Sequence, residues 1–217
     1  MNNTIQDISN CEYVYEDMQT IFTNMYNKLS WGNNYCDQYQ GSSGPGSFIE
    51  YNSEYISFLQ QFINKNKIKV IVEIGCGSFQ TGCAIYDNLD VYYFGYDVYE
   101  NIINYDKKEY MPAYKYHFDV LDCYNNMSSV LLGNLCVIKD VFQHWSDNSI
   151  CVFLNYLTQH KRFKYILICN SCNQQADSVN NVTGTYRELS CDYYPLKHFN
   201  PVKVLNYNSK EVCLITT

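Results

Sequence analysis

The chain has 217 residues, with 22 acidic and 15 basic side chains and a net charge of −7. This acidic balance disfavours a protein whose main task is to grip a nucleic-acid backbone. The length suits one domain with an N-terminal extension, and we place a helical, site-covering extension at residues 1–47 and the main domain at residues 48–217.

The sequence carries no signal for a membrane. No apolar run approaches the ~20 residues that a membrane span requires. The first twenty residues are also too acidic for a signal peptide, because they include Asp7, Glu12, Glu16 and Asp17. We therefore expect a cytoplasmic protein with no membrane partner.

The eleven cysteines are spread through apparent strands and helices, so we expect free thiols rather than a disulfide scaffold. Cys169 and Cys172 form a C-x-x-C motif that lacks a second pair, and we expect no metal site. The many tyrosines and asparagines resemble the composition of an AT-rich genome, such as those of some amoebal giant viruses. For a viral protein the expected location is the host cytoplasm.

The N-terminal part predicts a helix followed by a loop. Residues 11–30 carry apolar side chains at helical spacing. The segment Trp31–Gly46 is rich in glycine and short polar residues, which forbid a regular element. Two interpretations stay open for it: a flexible linker, or a loop folded over a site with Trp31 and Tyr35 as aromatic walls.

The next stretch predicts a helix that leads into a buried strand. Ser47 and Glu50 form a capping box for a helix that runs to about residue 67. The apolar run Lys69–Ile74 then has the character of a strand buried on both faces. Gly75 and Gly77 supply a tight turn whose bare backbone can approach a ligand closely. This pattern predicts the first strand of a nucleotide-binding α/β sheet.

Acidic side chains mark the ends of the first two predicted strands. Glu73 lies at the carboxyl end of the first strand, where such sheets bind ligands. A second strand begins at Val91 and ends at Asp97, which lies 20 positions after Gly77 (97 − 77 = 20). A carboxylate there can accept hydrogen bonds from ribose hydroxyls. The alternative is an aspartate that merely caps the next helix.

Three further strands are predicted at residues 114–118, 135–138 and 165–169, and helices alternate with them. This alternation indicates a largely parallel sheet. The strands Val202–Asn206 and Val212–Thr216 flank a short turn and predict an antiparallel hairpin at the end of the chain.

From about residue 45 onward, the ordered motifs resemble those of class I S-adenosylmethionine-dependent methyltransferases. The resemblance rests on Val72–Gly77, Tyr96–Asp97, Phe118–Val120 and Lys139–His144. Phe79 replaces the third glycine of the family's glycine motif. The family fold implied is α/β: a Rossmann-like, seven-stranded, mostly parallel sheet with an antiparallel C-terminal hairpin and helices on both faces.

The resemblance also implies a site for S-adenosylmethionine at the carboxyl ends of the strands. Its implied members are Glu73, Gly75, Gly77, Asp97, Asp119, Val120, Lys139 and Asp140. In this family the glycine turn and its acid hold the methionine end of the cofactor. Asp97 then takes the ribose, and Asp119 with Val120 flank the adenine.

A narrower likeness is to a bacterial subgroup of small methyltransferases with small-molecule or glycan acceptors. It rests on Trp31–Gly32, Ser43–Ser47, Asp140–His144 and Thr183–Leu189. This likeness implies a small hydroxylated acceptor, either a sugar or a nucleotide-sugar. Trp31, Tyr35 and Arg187 are the predicted acceptor contacts, and Arg187 suits an anionic group such as a diphosphate.

His144 is the predicted general base, because its unperturbed pKa near 6.5 suits proton removal from an alcohol at neutral pH. A histidine that only packs against Trp145 is the alternative. Asp140 has three open roles: to orient His144, to touch the cofactor's amino group, or to bind a divalent ion. Lys139 beside Asp140 is also compatible with the lysine base of ribose methyltransferases, although a clear second lysine and a closing glutamate are lacking.

The leading hypothesis is therefore an O-methyltransferase. The alternatives are an N-methyltransferase for an amine or amino sugar, a non-catalytic binding module with the same fold, and an RNA or cap methyltransferase. The acidic balance argues against the last of these.

Overall fold

The computed structural model describes residues 11–111, 113–177 and 181–217. Seven strands form one sheet: β1 (Val70–Ile74), β2 (Tyr92–Asp97), β3 (Tyr116–Val120), β4 (Gly133–Lys139), β5 (Phe163–Ser171), β6 (Val202–Tyr207) and β7 (Lys210–Thr216). Their order across the sheet is β3-β2-β1-β4-β5-β7-β6. Strands β1 to β5 are parallel to one another, and β7 is antiparallel to both β5 and β6. The predicted sheet and closing hairpin are therefore confirmed.

The position of β1 and β4 follows from their composition. Ile71, Val72 and the run Leu135–Ile138 are almost fully buried, as expected for central parallel strands that helices cover on both faces. The chain order reverses at this point, because β2 leads to one edge of the sheet and β4 leads to the other. A crevice at the carboxyl ends of the strands is the expected result.

Among the described residues, five α-helices surround the sheet: α1 (Met18–Asn27), α2 (Ser53–Asn66), α3 (Gln80–Tyr86), α4 (Glu100–Tyr110) and α5 (Asp147–Gln159). No helix in the described ranges is long and apolar enough to cross a membrane. All eleven cysteines are free thiols, as predicted.

The first helix is shorter than predicted. Residues 11–17 are not helical, and Asp17 caps α1 by accepting the Thr20 amide at 3.0 Å. The preceding segment lies against the loop after β3, where the Tyr124 hydroxyl donates to the Val14 carbonyl at 2.8 Å. The carboxylate of Glu16 accepts a hydrogen bond from Ser146, the cap of α5, at 2.8 Å. These tertiary contacts hold residues 11–17 outside the helix in spite of their apolar spacing.

The second helix begins later than predicted, at Ser53 rather than after Ser47. Residues 45–47 and 49–52 form two short 3₁₀ turns instead. The Asn52 amide, which is fully buried, donates to the carbonyls of Gly46 (2.9 Å) and Phe48 (2.7 Å). The Thr81 hydroxyl binds the Ser47 carbonyl at 2.8 Å. In the predicted helix these carbonyls would accept backbone N–H groups of the next turn. Here the side chains bind them instead, and the capping box does not form.

Candidate active site

A cavity of about 780 Å³ opens at the carboxyl ends of β1, β2 and β4. Its walls come from the turn after β1, the loops after β2, β3 and β4, helix α1, and the segment Trp31–Ser47. The acidic and basic side chains of the lining are four carboxyl groups, two lysines and one histidine: Glu73, Asp97, Asp122, Asp140, Lys139, Lys210 and His144. The cavity is therefore acidic on balance and suits a cationic ligand.

The glycine turn forms one side of the cavity. Gly75 and Gly77 have φ values of 70° and 56°, which L side chains adopt rarely. A Cβ atom on Gly75 would lie 2.5 Å from a methyl group of Val141, so the turn after β1 and the loop after β4 meet only because glycine is there. At the third glycine position Phe79 also adopts a positive φ of 53°. Its buried ring packs on Tyr93 at 4.5 Å between centroids.

Asp97 is buried at the end of β2 and faces the turn. One carboxylate oxygen accepts the Gly77 amide at 3.2 Å and the Tyr26 hydroxyl at 3.2 Å. The other accepts the Tyr99 amide at 3.1 Å, one residue before α4 begins. Burial raises the pKa of Asp97, and these hydrogen bonds oppose that shift. Asp97 thus holds the backbone just before α4, and its role toward a ribose stays a prediction.

Glu73 lies deeper, between β2 and β4. It accepts a hydrogen bond from the Tyr93 hydroxyl at 2.7 Å. Burial raises the pKa of Glu73 to about 7, although the Tyr93 hydroxyl and the Lys139 ammonium oppose the shift. This carboxyl group can therefore change protonation near neutral pH.

The two predicted adenine contacts lie outside the cavity. Asp119 is exposed and pairs with Lys107 at 3.0 Å, and neither it nor Val120 lines the cavity. The cavity wall after β3 consists of Leu121, Asp122 and Cys123. The strand β3 ends at Val120, and the chain turns toward the cavity only beyond it, where the Leu121 amide donates to the Asp97 carbonyl at 3.0 Å.

A pair of lysines flanks Asp140 at the end of β4. Lys139 donates to Asp140 and to the Gly46 carbonyl, both at 2.7 Å. Lys210, the first residue of β7, pairs with the other carboxylate oxygen. Burial by itself raises the pKa of Asp140, but the two ammonium groups outweigh it and hold that pKa below its usual range. Lys210 is the second lysine that sequence reasoning missed, because it lies 70 positions from Asp140.

His144 is buried in the same wall, after a 3₁₀ turn. Its Nδ1 atom lies 3.2 Å from the Thr185 carbonyl, so the proton of the neutral ring resides on Nδ1. Its Nε2 atom accepts the Trp31 indole N–H at 3.2 Å. Burial lowers the pKa of His144, while the Thr185 contact and Asp140 oppose the shift. The ring is thus held as a neutral imidazole.

The segment Trp31–Ser47 lies over the cavity and is anchored there by hydrogen bonds. It is therefore a folded loop rather than a flexible linker. Lys139, Asn52 and Thr81 hold its carbonyls. Trp31 lines the cavity, whereas Tyr35 is 52% exposed and lies outside it. Tyr35 therefore does not line this cavity, and its role as an acceptor wall stays a prediction.

Arg187 also lies outside the cavity. Its guanidinium pairs with Asp147 at the start of α5 and donates to the Trp145 carbonyl at 3.0 Å. The side chains of Arg187 and Asp147 are only 12% and 4% exposed. These contacts tie Arg187 to the start of α5, and its role toward an anionic acceptor stays a prediction.

Solved structures share this architecture. Magnesium protoporphyrin IX methyltransferase from Synechocystis, with bound S-adenosylmethionine, matches with a TM-score of 0.60 at 9% identity, over 94% of this chain and 98% of that chain. Human N-acetylserotonin methyltransferase, in complex with S-adenosylmethionine, matches with a TM-score of 0.54 at 12% identity, over 78% of this chain and 57% of that chain. The chain thus has the Rossmann-like fold of class I methyltransferases, as predicted.

Among curated proteins, O-methyltransferase 2 of Dictyostelium discoideum is similar to this chain. The two are 28% identical over 125 residues, which cover 55% of this chain and 36% of the relative. The chain thus matches about a third of the length of that relative. No family model matches the sequence, and the narrower likeness to the bacterial subgroup stays a prediction.

Proposed function

We propose that the chain binds S-adenosylmethionine and transfers its methyl group to a hydroxyl of a small acceptor. The observation that carries the cofactor assignment is the pairing of Asp97 with the Gly77 amide across a glycine turn in an acidic cavity. The cofactor carries a sulfonium, an ammonium and ribose hydroxyls, all of which suit carboxylates. The Ser43 hydroxyl, buried beside Gly77, adds a further donor.

The residues of the chain fit this cofactor in the following arrangement. Asp97 accepts the ribose hydroxyls, Gly75 and Gly77 leave room for the methionine end, and Leu121 with Cys123 face the adenine. S-Adenosylmethionine supplies an electrophilic methyl group when bound. The protein's own task is to align the acceptor with that group and to receive the acceptor's proton.

His144 is the proposed base. With its proton on Nδ1 toward Thr185, the lone pair of Nε2 points to the cavity side, where Trp31 and Tyr186 also lie. The lowered pKa keeps the ring unprotonated near neutral pH. Asp140 is a poor base in comparison, because two ammonium groups stabilise its ionised form.

The acceptor that we propose is a sugar or a nucleotide-sugar. Aromatic side chains at the cavity, Trp31, Tyr51 and Tyr186, offer flat surfaces for a sugar ring, and Asn208 with Gln143 offer polar partners. A neutral sugar is favoured over a nucleotide-sugar, because both cavity lysines are already paired with Asp140 and Arg187 is paired with Asp147.

Mass spectrometry after incubation with S-adenosylmethionine tests the proposal. The acceptors are a neutral sugar, its amino-sugar counterpart and its nucleotide-linked form. We expect methylation of the neutral sugar on oxygen. Transfer to the amino sugar alone would establish the N-methyltransferase alternative. Absence of micromolar cofactor binding in calorimetry would instead support a non-catalytic module.

A further inference from the structure

If His144 is a base, it must accept the proton on Nε2, and the lone pair of this atom already accepts a hydrogen bond. Nε2 accepts the Trp31 indole N–H at 3.2 Å, and the Gln143 side-chain amide nitrogen lies 3.5 Å from the same atom. The Gln143 amide is oriented by its oxygen, which accepts the Ser171 amide at 2.9 Å. Because Nδ1 carries its proton toward a carbonyl, Nε2 is the ring atom that can accept a proton.

The indole is held in this position from several sides. Its ring packs edge-on against Tyr26 at 4.6 Å and beside Phe22 at 6.4 Å between centroids. The backbone of Gly44 lies so close that a Cβ atom there would be 2.9 Å from the Trp31 carbonyl oxygen. The Trp31–His144 contact is therefore a packed arrangement between two walls of the cavity that are 113 residues apart in sequence.

We propose that Trp31 is a positioning residue for the acceptor: its indole N–H occupies the hydrogen-bonding position on His144 Nε2 that the acceptor hydroxyl takes when it displaces the indole. This inference rests on the proposed function. In the transfer step the acceptor oxygen bonds to the methyl carbon, the sulfur–carbon bond breaks, and the hydroxyl proton moves to Nε2.

The arrangement discriminates between acceptor and product. An acceptor hydroxyl can replace the indole as a donor to Nε2, and it leaves no buried lone pair unsatisfied. A methyl ether has no hydrogen to donate, so the indole N–H regains its place on His144 after the proton has left. The product is thus released in the same step in which the indole N–H returns to His144 Nε2.

Other groups also act on the His144 ring. Asp140, at the end of β4, favours its protonated form, and Lys210, on β7, disfavours it. The Tyr186 phenol lies beside the ring, at 5.9 Å between centroids. Substitution of Trp31 leaves all three groups in place, so they do not account for a change in the titration of His144.

Nitrogen-15 spectra of the indole N–H groups test the contact, because the chain contains two tryptophans. Trp31→Phe assigns the two signals, and the Trp145 signal serves as the internal control. We expect the Trp31 signal to shift on acidification with the midpoint of the His144 ring protons, and to shift in His144→Ala. In Trp31→Phe the His144 pKa should rise by about 0.4 to 1, the change that one net hydrogen bond produces. A Trp31 signal indifferent to pH and to His144→Ala overturns the inference.

A sugar pair tests the exchange in the presence of S-adenosylhomocysteine. The probes are methyl glucoside and its fully O-methylated counterpart, which share a ring but differ in hydroxyl donors. Methyl glucoside should shift the Trp31 signal, and the methylated probe should not. No shift at saturating methyl glucoside, or equal shifts with both probes, overturns the positioning role. These readouts need no turnover, so the inference can fail while methyl transfer itself is still observed.

Discussion

Replacing Asp97 with asparagine should weaken cofactor binding far more than any other neutralised acid at the strand ends. The carboxylate offers two oxygens, which already receive the amides of Gly77 and Tyr99 and the hydroxyl of Tyr26. An asparagine of the same shape keeps one oxygen and turns an amide group toward donors that need an acceptor.

The size of the effect follows from the bonds that change. A hydrogen bond to a charged group contributes about 1.5–3 kcal/mol. Asp97→Asn removes one such bond to a ribose hydroxyl and leaves at most a weaker, neutral one, for a total loss of about 2–4 kcal/mol. The dissociation constant should therefore rise about 30- to 700-fold, since 1.4 kcal/mol corresponds to a factor of ten.

Calorimetry with S-adenosylhomocysteine measures this change, and Asp119→Asn is the matched control. Asp119 has the same chemistry on the neighbouring strand but is exposed and lies outside the cavity. Its variant should bind like the wild type. The reasoning fails if Asp97→Asn binds within threefold of the wild type while folded, or if Asp119→Asn is equally impaired, as the sequence-based assignment of Asp119 to the adenine site requires.

Three further outcomes are expected. His144→Gln should bind the cofactor normally and lose about 10²- to 10⁴-fold in turnover, the usual contribution of a general base, as measured with the acceptor identified by mass spectrometry. Arg187→Met should lower the free energy of unfolding in urea by about 3–5 kcal/mol, because it leaves Asp147 charged and buried, while the KM for the acceptor stays unchanged in the folded fraction. Glu73→Gln should flatten the pH dependence of stability, because the raised pKa of Glu73 favours the folded state at low pH and this contribution is lost as pH rises from about 4.5 to about 7.

Each of these outcomes has a contrary result. Turnover of His144→Gln within twofold of the wild type removes His144 as the base. A higher acceptor KM in Arg187→Met, without loss of stability, restores the acceptor role that the sequence indicated for Arg187. An unchanged stability profile in Glu73→Gln would mean that the carboxyl group is solvated in the folded protein.

The sheet could be predicted because its signals are local. Three such signals are the run Lys69–Ile74, the glycines after it and the acid at the end of β2. Each of them can be recognised from a few neighbouring residues. The closing hairpin could also be predicted from local residues, since Asn208 and Ser209 form a two-residue turn with positive φ values of 42° and 59°. Helix boundaries were harder to predict, because Thr81 binds the Ser47 carbonyl and Ser146 binds Glu16 from positions that are distant in sequence.

By itself the sequence determined the fold and the strand ends at which a cofactor can bind, because strand, turn and terminal acid are adjacent in the chain. The tertiary structure decided which side chains reach the cavity. Tyr26 contacts Asp97 across 71 positions, Lys210 contacts Asp140 across 70, and Trp31 contacts His144 across 113. No local pattern encodes such pairs, since they depend on how helix α1, the covering segment and the final hairpin pack against the same edge of the sheet.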